Sequence, residues 1–168
     1  MAVPGDAALE SLARRIGRRC VKEGLLLATA ESCTGGLIAK CLTDIPGSSA
    51  WFERGFITYS NRAKAEQLGV PGRVLDRHGA VSEPVALAMA RGALRHSPAG
   101  LAIAVTGIAG PDGGTPGKPV GTVWIAWARR RGARIEARAD LFRFKGSRDH
   151  VRRRTASAAL RGLWDARP

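Results

Sequence analysis

Ser32 and Cys33 stand side by side in Glu31-Ser32-Cys33-Thr34-Gly35-Gly36, a polar, glycine-rich stretch that follows the apolar run 25–30. Either side chain could be a nucleophile. A hydroxyl needs a base to take its proton, whereas a thiol near a helix start ionises more readily. His78, His96 and His150 fall in turn or helix-end contexts, so none is well placed as that base. A lysine can serve instead if burial and neighbours lower its pKa. Lys64 is one of five lysines and lies on a helical segment just after Tyr59, while Lys22, Lys40 and Lys118 read as solvated. Each candidate has an ordinary alternative: Ser32 as a helix cap, Lys64 as a surface lysine, Cys33 as a thiol with no paired histidine.

A second polar stretch, Thr106-Gly107-Ile108-Ala109-Gly110-Pro111-Asp112-Gly113-Gly114, follows the apolar run 101–105 and continues to Pro119. It is too long and too rich in glycine to be a plain connection in a small protein. Glycines let a main chain approach a ligand, and amides at a helix start favour anions. Neither stretch has Walker A or G-x-G-x-x-G spacing, so the common nucleotide fingerprints are missing. A tight turn after a strand explains each stretch equally well when it is taken alone.

The elements that must carry these residues alternate. Asp6 is positioned to cap a first helix with Leu9, Leu12, Ala13, Ile16 and Cys20 on one face and Gly24 past its end. A strand follows at 25–30, and Thr34-Gly35-Gly36 opens a helix with Leu37, Ile38, Cys41 and Leu42 inward, broken at Pro46-Gly47. Residues 56–60 read as a second strand, Asn61 as the cap of the helix bearing Lys64 and Leu68, and 69–79 as turns. Ser82 then caps a long helix that tolerates Pro84 in its first turn. Strands at 101–105, 120–128 and 133–144 follow, the last two joined at Arg129-Arg130-Arg131-Gly132 as a hairpin. Ser147 caps a final helix with Val151, Ala158, Ala159 and Leu163 inward. This order predicts one domain over 1–168, a three-layer α/β/α sandwich with a mixed, mostly parallel sheet and a C-terminal hairpin plus helix. In such sheets ligands gather outside the carboxyl ends of the strands, where both polar stretches leave.

With 168 residues, 45% of them hydrophobic and 24% charged, disordered and collagen-like classes drop out. A chain of this size buries roughly two-thirds of its unfolded surface and needs neither disulfide nor metal to hold a core. Three cysteines with no C-x-x-C pair argue against structural zinc and a disulfide framework. No run approaches the roughly 18 apolar residues of a membrane helix, and the amino terminus does not read as a signal peptide, so a reducing, cytoplasmic setting is expected. The net charge is +13, and residues 129–168 alone hold 13 basic and 4 acidic side chains. Such an excess means either an anionic partner or a solvated basic face, and no nucleic-acid module or interleaved aromatic pattern accompanies it.

Taken together, Ala30-Glu31-Ser32-Cys33-Thr34-Gly35-Gly36, Gly47-Ser48-Ser49-Ala50-Trp51-Phe52-Glu53-Arg54-Gly55, Thr58-Tyr59-Ser60-Asn61, Gly79-Ala80-Val81-Ser82-Glu83 and the 106–114 stretch resemble the CinA carboxy-terminal domain family, in its stand-alone form, over residues 9–164. The resemblance implies hydrolysis of the carboxamide of nicotinamide mononucleotide to nicotinate mononucleotide and ammonia. It implies a Ser-Lys type mechanism assisted by a tyrosine, with no metal and no cofactor. Carried onto this chain, it makes Ser32 the nucleophile, Lys64 the base and Tyr59 its companion, with Ser48 a second candidate nucleophile.

For the substrate, the amides near Thr34, Gly35 and Gly36, or those of Thr106 and Gly107, could hold the oxyanion, with Ser48 also among the binding residues. Arg148 follows the Ser147 cap, in a Gly146-Ser147-Arg148-Asp149 stretch that also resembles the family, and is the candidate for the substrate phosphate. The partners expected are a small-molecule nucleotide and further copies of this chain, not a membrane or a nucleic acid. Two other readings stay open: a nucleotide-binding regulatory domain without turnover, and a nucleic-acid binder built on the basic end.

Overall fold

The computed structural model describes residues 2–164. Its element order is α1 (Asp6–Glu23), β1 (Leu27–Glu31), α2 (Leu37–Thr43), β2 (Phe52–Ile57), α3 (Asn61–Leu68), α4 (Gly72–His78), α5 (Glu83–Arg95), β3 (Leu101–Gly107), β4 (Thr122–Arg131), β5 (Arg134–Arg143) and α6 (Arg148–Gly162). The five strands form one sheet in the order β2-β1-β3-β4-β5. β2, β1 and β3 are parallel, β4 runs antiparallel to β3, and β5 antiparallel to β4. The expected mixed sheet, hairpin and closing helix are all present.

Side chains alternate across the central strands, and their sizes differ by face. Leu27, Leu101, Ile103, Val105, Val123, Ile125 and Trp127 point to one side, where α1, α2 and α6 pack. Ala28, Ala30, Ala102, Ala104, Ala126 and Ala128 point to the other, beneath Ala86, Met89, Ala90 and Ala93 of α5. Both faces are therefore covered, which gives the three layers. Each large aliphatic buried on the first face contributes about 1.5–3 kcal/mol. The alanine face instead lets α5 sit close to the sheet. Its Gly92 lies so near α3 that an added Cβ would stand 2.2 Å from the Leu68 carbonyl oxygen.

Several boundaries differ from expectation. β1 begins at Leu27 and reaches Glu31, and β2 occupies Phe52–Ile57 rather than 56–60. β2 is an edge strand with Glu53, Arg54 and Gly55 on its half-exposed surface, so no apolar run marks it. Residues 69–79 are not all turn but contain α4, a short helix that seats Leu75 in the core. Asp6 begins α1 with Gly5 as its cap, and Ser60, not Asn61, caps α3 by accepting from the Ala63 amide at 3.0 Å. Ser82 holds the cap position of α5, but its hydroxyl donates to the Gly79 carbonyl instead. Ser147 caps α6 as expected, accepting from the His150 amide at 3.3 Å. Arg129, Arg130 and Arg131 complete β4, and the hairpin turns at Gly132-Ala133. No helix among the described residues is long and apolar enough to cross a membrane.

Candidate active site

β1 ends at Glu31, and Ser32 is the first residue beyond it, at the carboxyl edge of the sheet. The Ser32 amide donates to the Val105 carbonyl of β3 at 3.1 Å, and its own carbonyl accepts from the Gly35 amide at 3.0 Å. The hydroxyl is thereby lifted off the strand on a short turn. Lys64 approaches from α3, and its Nζ donates to Ser32 Oγ at 3.1 Å and to the Thr58 carbonyl at 2.9 Å. A helix with so few apolar residues reads as a surface helix, yet Lys64 is only 1% exposed. Burial holds its pKa below the ordinary 10.5, because an ammonium loses hydration there, while the thiol of Cys33 pulls weakly the other way. Where such a lysine amine is neutral, its contact with a serine hydroxyl makes a competent base and nucleophile pair.

Around this pair lies a cleft of about 290 Å³, near the small end of ligand pockets. Tyr59, Thr106, Gly107 and Arg148 line it with Ser32 and Lys64, so six of the ten expected site residues converge, together with the rival nucleophile Cys33. Its far wall is the long loop after β3, through Ile108, Ala109, Gly110, Asp112 and Gly113. Asn61, expected only as a helix cap, and Asp112, expected only as part of the 106–114 stretch, also line it. Their only signal is their place in Tyr59-Ser60-Asn61 and Gly110-Pro111-Asp112-Gly113-Gly114. Thr106 is tied down, its hydroxyl donating to the Ala80 carbonyl at 2.7 Å. Tyr59 sits at the rim, largely exposed, and its hydroxyl accepts from Arg148 Nη2 at 2.8 Å. Arg148 Nη1 donates to the Gly110 carbonyl at 2.8 Å, so this guanidinium bridges two sides of the cleft and pairs with no carboxylate among the described residues. A guanidinium has five N–H groups, and three remain for an anion.

Four expected binding residues lie elsewhere. Thr34 is fully buried and donates its hydroxyl to Glu31, the Gly35 amide is taken by Ser32, and the Gly36 amide donates to Glu31 at 3.1 Å. These amides are spent on the fold rather than turned to the cleft. Gly36 has φ +96°, and an added Cβ would meet Ile57 at 3.0 Å, so the glycine there serves the entry into α2. Ser48 lies in a single 3₁₀ turn before β2, at the opposite end of the sheet from Ser32. Sequence proximity of small polar residues to glycine could not tell the two ends apart.

Cys33 is buried beside Ser32, and burial, with the charge of Glu31 adding to it, pushes its thiol up to about 12. A thiol so held is no nucleophile near neutral pH. Cys33→Ala is expected to retain kcat within about tenfold, a change of under about 1.4 kcal/mol in barrier. Loss of all turnover in a folded Cys33→Ala protein would reassign the nucleophile.

Among the described residues no three His, Cys, Asp or Glu side chains gather where a metal could sit. Much of the arginine excess ties the fold together rather than lying free. Arg153 pairs with Asp6 and Asp149, Arg129 with Glu23, Arg138 lies over Trp127 and donates to the Gly162 carbonyl, and Arg130 donates to the Leu94 and Ala99 carbonyls. Arg167 lies outside the described residues.

An α/β protein with a buried serine and lysine pair at the strand ends is the class these features define. The CinA C-terminal domain model matches residues 9–166, and the chain belongs to that family. It is 54% identical over 159 residues to the Nicotinamide-nucleotide amidohydrolase PncC of Escherichia coli strain K12, covering 95% of this chain and 94% of that one. The protein of the same name from Pseudomonas putida is 52% identical, over 92% and 94% of the two chains. Among solved structures, the competence/damage inducible protein CihA of Agrobacterium tumefaciens superposes with a TM-score of 0.90 at 49% identity, over 97% and 96% of the two chains.

Proposed function

We propose that this chain hydrolyses the carboxamide of nicotinamide mononucleotide, giving nicotinate mononucleotide and ammonia. The observation that carries the reading is the 3.1 Å contact between a buried Lys64 amine and Ser32 Oγ inside a ligand-sized cleft, in a chain more than half identical to named amidohydrolases. Ser32 Oγ attacks the carboxamide carbon while neutral Lys64 takes the hydroxyl proton. The tetrahedral oxyanion falls to main-chain amides facing the cleft, with that of Cys33, next to the nucleophile, the first candidate. As the C–N bond breaks, Lys64 returns the proton to the departing nitrogen, which leaves as ammonia. Water then attacks the acyl ester, passes a proton to Lys64, and the ester bond breaks to restore Ser32 and release the carboxylate.

Tyr59 belongs to this machinery by way of Arg148, which holds its hydroxyl at the rim. Arg148, with donors to spare, meets the substrate phosphate. Arg148→Ala is expected to raise KM for nicotinamide mononucleotide by about 10- to 100-fold, the worth of a charge-assisted contact. KM for nicotinamide riboside, which lacks the phosphate, should change far less. Equal rises for both substrates would remove Arg148 as the phosphate ligand. The activity itself is tested by ammonia release from nicotinamide mononucleotide in the presence of a chelator, and absence of release would leave a binding domain. Three buried free cysteines suit a reducing, cytoplasmic setting. Self-association is proposed as well, because β5 ends the sheet as a ten-residue edge strand. Sedimentation showing only monomer across concentrations would overturn it.

A further inference from the structure

Glu31 takes no part in the proton transfers above, yet it is a fully buried acid directly before the nucleophile. Its side chain accepts four hydrogen bonds. Thr34 Oγ1 donates to Oε2 at 2.6 Å, the Gly36 and Ile38 amides donate to the same oxygen at 3.1 and 3.0 Å, and the Ala39 amide donates to Oε1 at 2.8 Å. A carboxylate accepts only, so all four donors suit it, and the first amides of α2 compensate its charge without a cation. The acid thus reaches from the end of β1 across the turn 32–35 and caps the helix beyond.

The main chain of the same residue holds the base. The Glu31 carbonyl accepts from the Thr58 amide at 2.8 Å, and the Thr58 carbonyl accepts from Lys64 Nζ. From the other side Arg152 Nη2 donates to the Thr34 carbonyl at 2.8 Å, pinning the turn against α6. Nucleophile and base are therefore both referenced to Glu31.

We infer that Glu31 is a positioning residue, whose carboxylate, bonded across the turn to Thr34 and the start of α2, sets Ser32 Oγ against Lys64 Nζ. The inference rests on the Ser32 and Lys64 assignment of the preceding section. Its contribution is to turnover rather than to substrate affinity, because none of its donors faces the cleft. Gln is nearly isosteric but brings an NH2 group against N–H donors. Its best orientation keeps the oxygen toward Thr34, Gly36 and Ile38 and turns the NH2 onto the Ala39 amide. One bond becomes a repulsion and the helix start shifts.

The test measures kcat, KM and thermal unfolding for Glu31→Gln, Thr34→Val, Thr34→Ser and Ser32→Ala. For both Glu31→Gln and Thr34→Val, kcat should fall by about 10- to 100-fold, as for a misplacement well under 1 Å to about 1 Å, with KM within about threefold of the parent. Both should be folded at the assay temperature. Thr34→Ser, which keeps the donor, should return kcat to within about threefold of the parent. A parental kcat in folded Glu31→Gln and Thr34→Val, a rise in KM alone, or a loss that follows only the unfolded fraction would overturn the inference. If Glu31→Gln fails to fold, the Thr34 pair decides in the same way. Ser32→Ala separates the two readings: an active Ser32→Ala defeats the serine and lysine assignment, whereas an inactive one beside parental Glu31→Gln and Thr34→Val defeats only the positioning role.

Discussion

Ser32→Ala is expected to lower kcat by at least about 10³-fold, roughly 4 kcal/mol of barrier, with the fold intact. On the proposed mechanism the variant removes the one atom that would bond to the carboxamide carbon, with no neighbour to replace it. Cys33 is the adjacent alternative, but its thiol is held protonated, and its side chain already occupies its own buried place. The alanine removes only the hydroxyl, whose partner in the protein is Lys64 Nζ, so circular dichroism and the unfolding midpoint should stay close to the parent. Substrate should still bind, and isothermal titration should show affinity within a few-fold. Ser48→Ala is the control, because Ser48 lies at the far end of the sheet. An inactive Ser48→Ala beside an active Ser32→Ala would exchange their roles.

Replacing Lys64 should be nearly as damaging, and the manner of failure is informative. Lys64→Arg puts a permanent cation there that cannot accept a proton, since a guanidinium stays protonated at any working pH. Loss of the base should lower kcat by about 10²- to 10⁴-fold in both Lys64→Arg and Lys64→Met. In the parent, kcat/KM should fall toward acid as the amine of the free enzyme takes up a proton, with the limb set by its lowered pKa. The same shift is a statement about stability. Between the lowered folded value and 10.5, the unfolded chain carries a proton on Lys64 that the folded chain does not. Stability therefore rises with pH through that window, and the gain is lost as pH falls through it. Unfolding midpoints of the parent should rise relative to those of Lys64→Met as the pH approaches 10.5. Parallel pH dependences would mean that Lys64 is charged in the folded protein.

The parts of this site legible in the sequence are those in which one stretch of chain does the work. The apolar run ending at a glycine-rich turn marks β1 and Ser32, and Gly146-Ser147-Arg148-Asp149 marks the start of α6 with its arginine. The illegible parts depend on what arrives from elsewhere. Lys64 stands on a helix with little apolar character, and its amine is buried against Ser32 and the Thr58 carbonyl, which come from beyond that helix. β2 is an edge strand with charged residues on its surface, so the apolar pair at its end drew the prediction toward 56–60. Glu31 is visible as a letter in a motif, but three of its four partners are backbone amides, which any residues could supply. Ser48 has the composition of a ligand loop and occupies the wrong end of a strand, a distinction that needs the register of β1 with β2.

The meeting of α5 with α3 also bears on how the enzyme tolerates change at a distance. A side chain that obstructs its neighbour can usually rotate aside, but at Gly92 the opposing group is the carbonyl of Leu68, the last residue of the helix that carries Lys64. Backbone cannot yield without moving the whole segment, so any bulk gained at Gly92 becomes a displacement of α3 as a rigid piece. The depth of the amine is thereby gauged by a residue outside the cleft lining. Drift at such a position would be read by selection as a change in turnover, and the silence of this glycine under mutation would depend on the base in front of it.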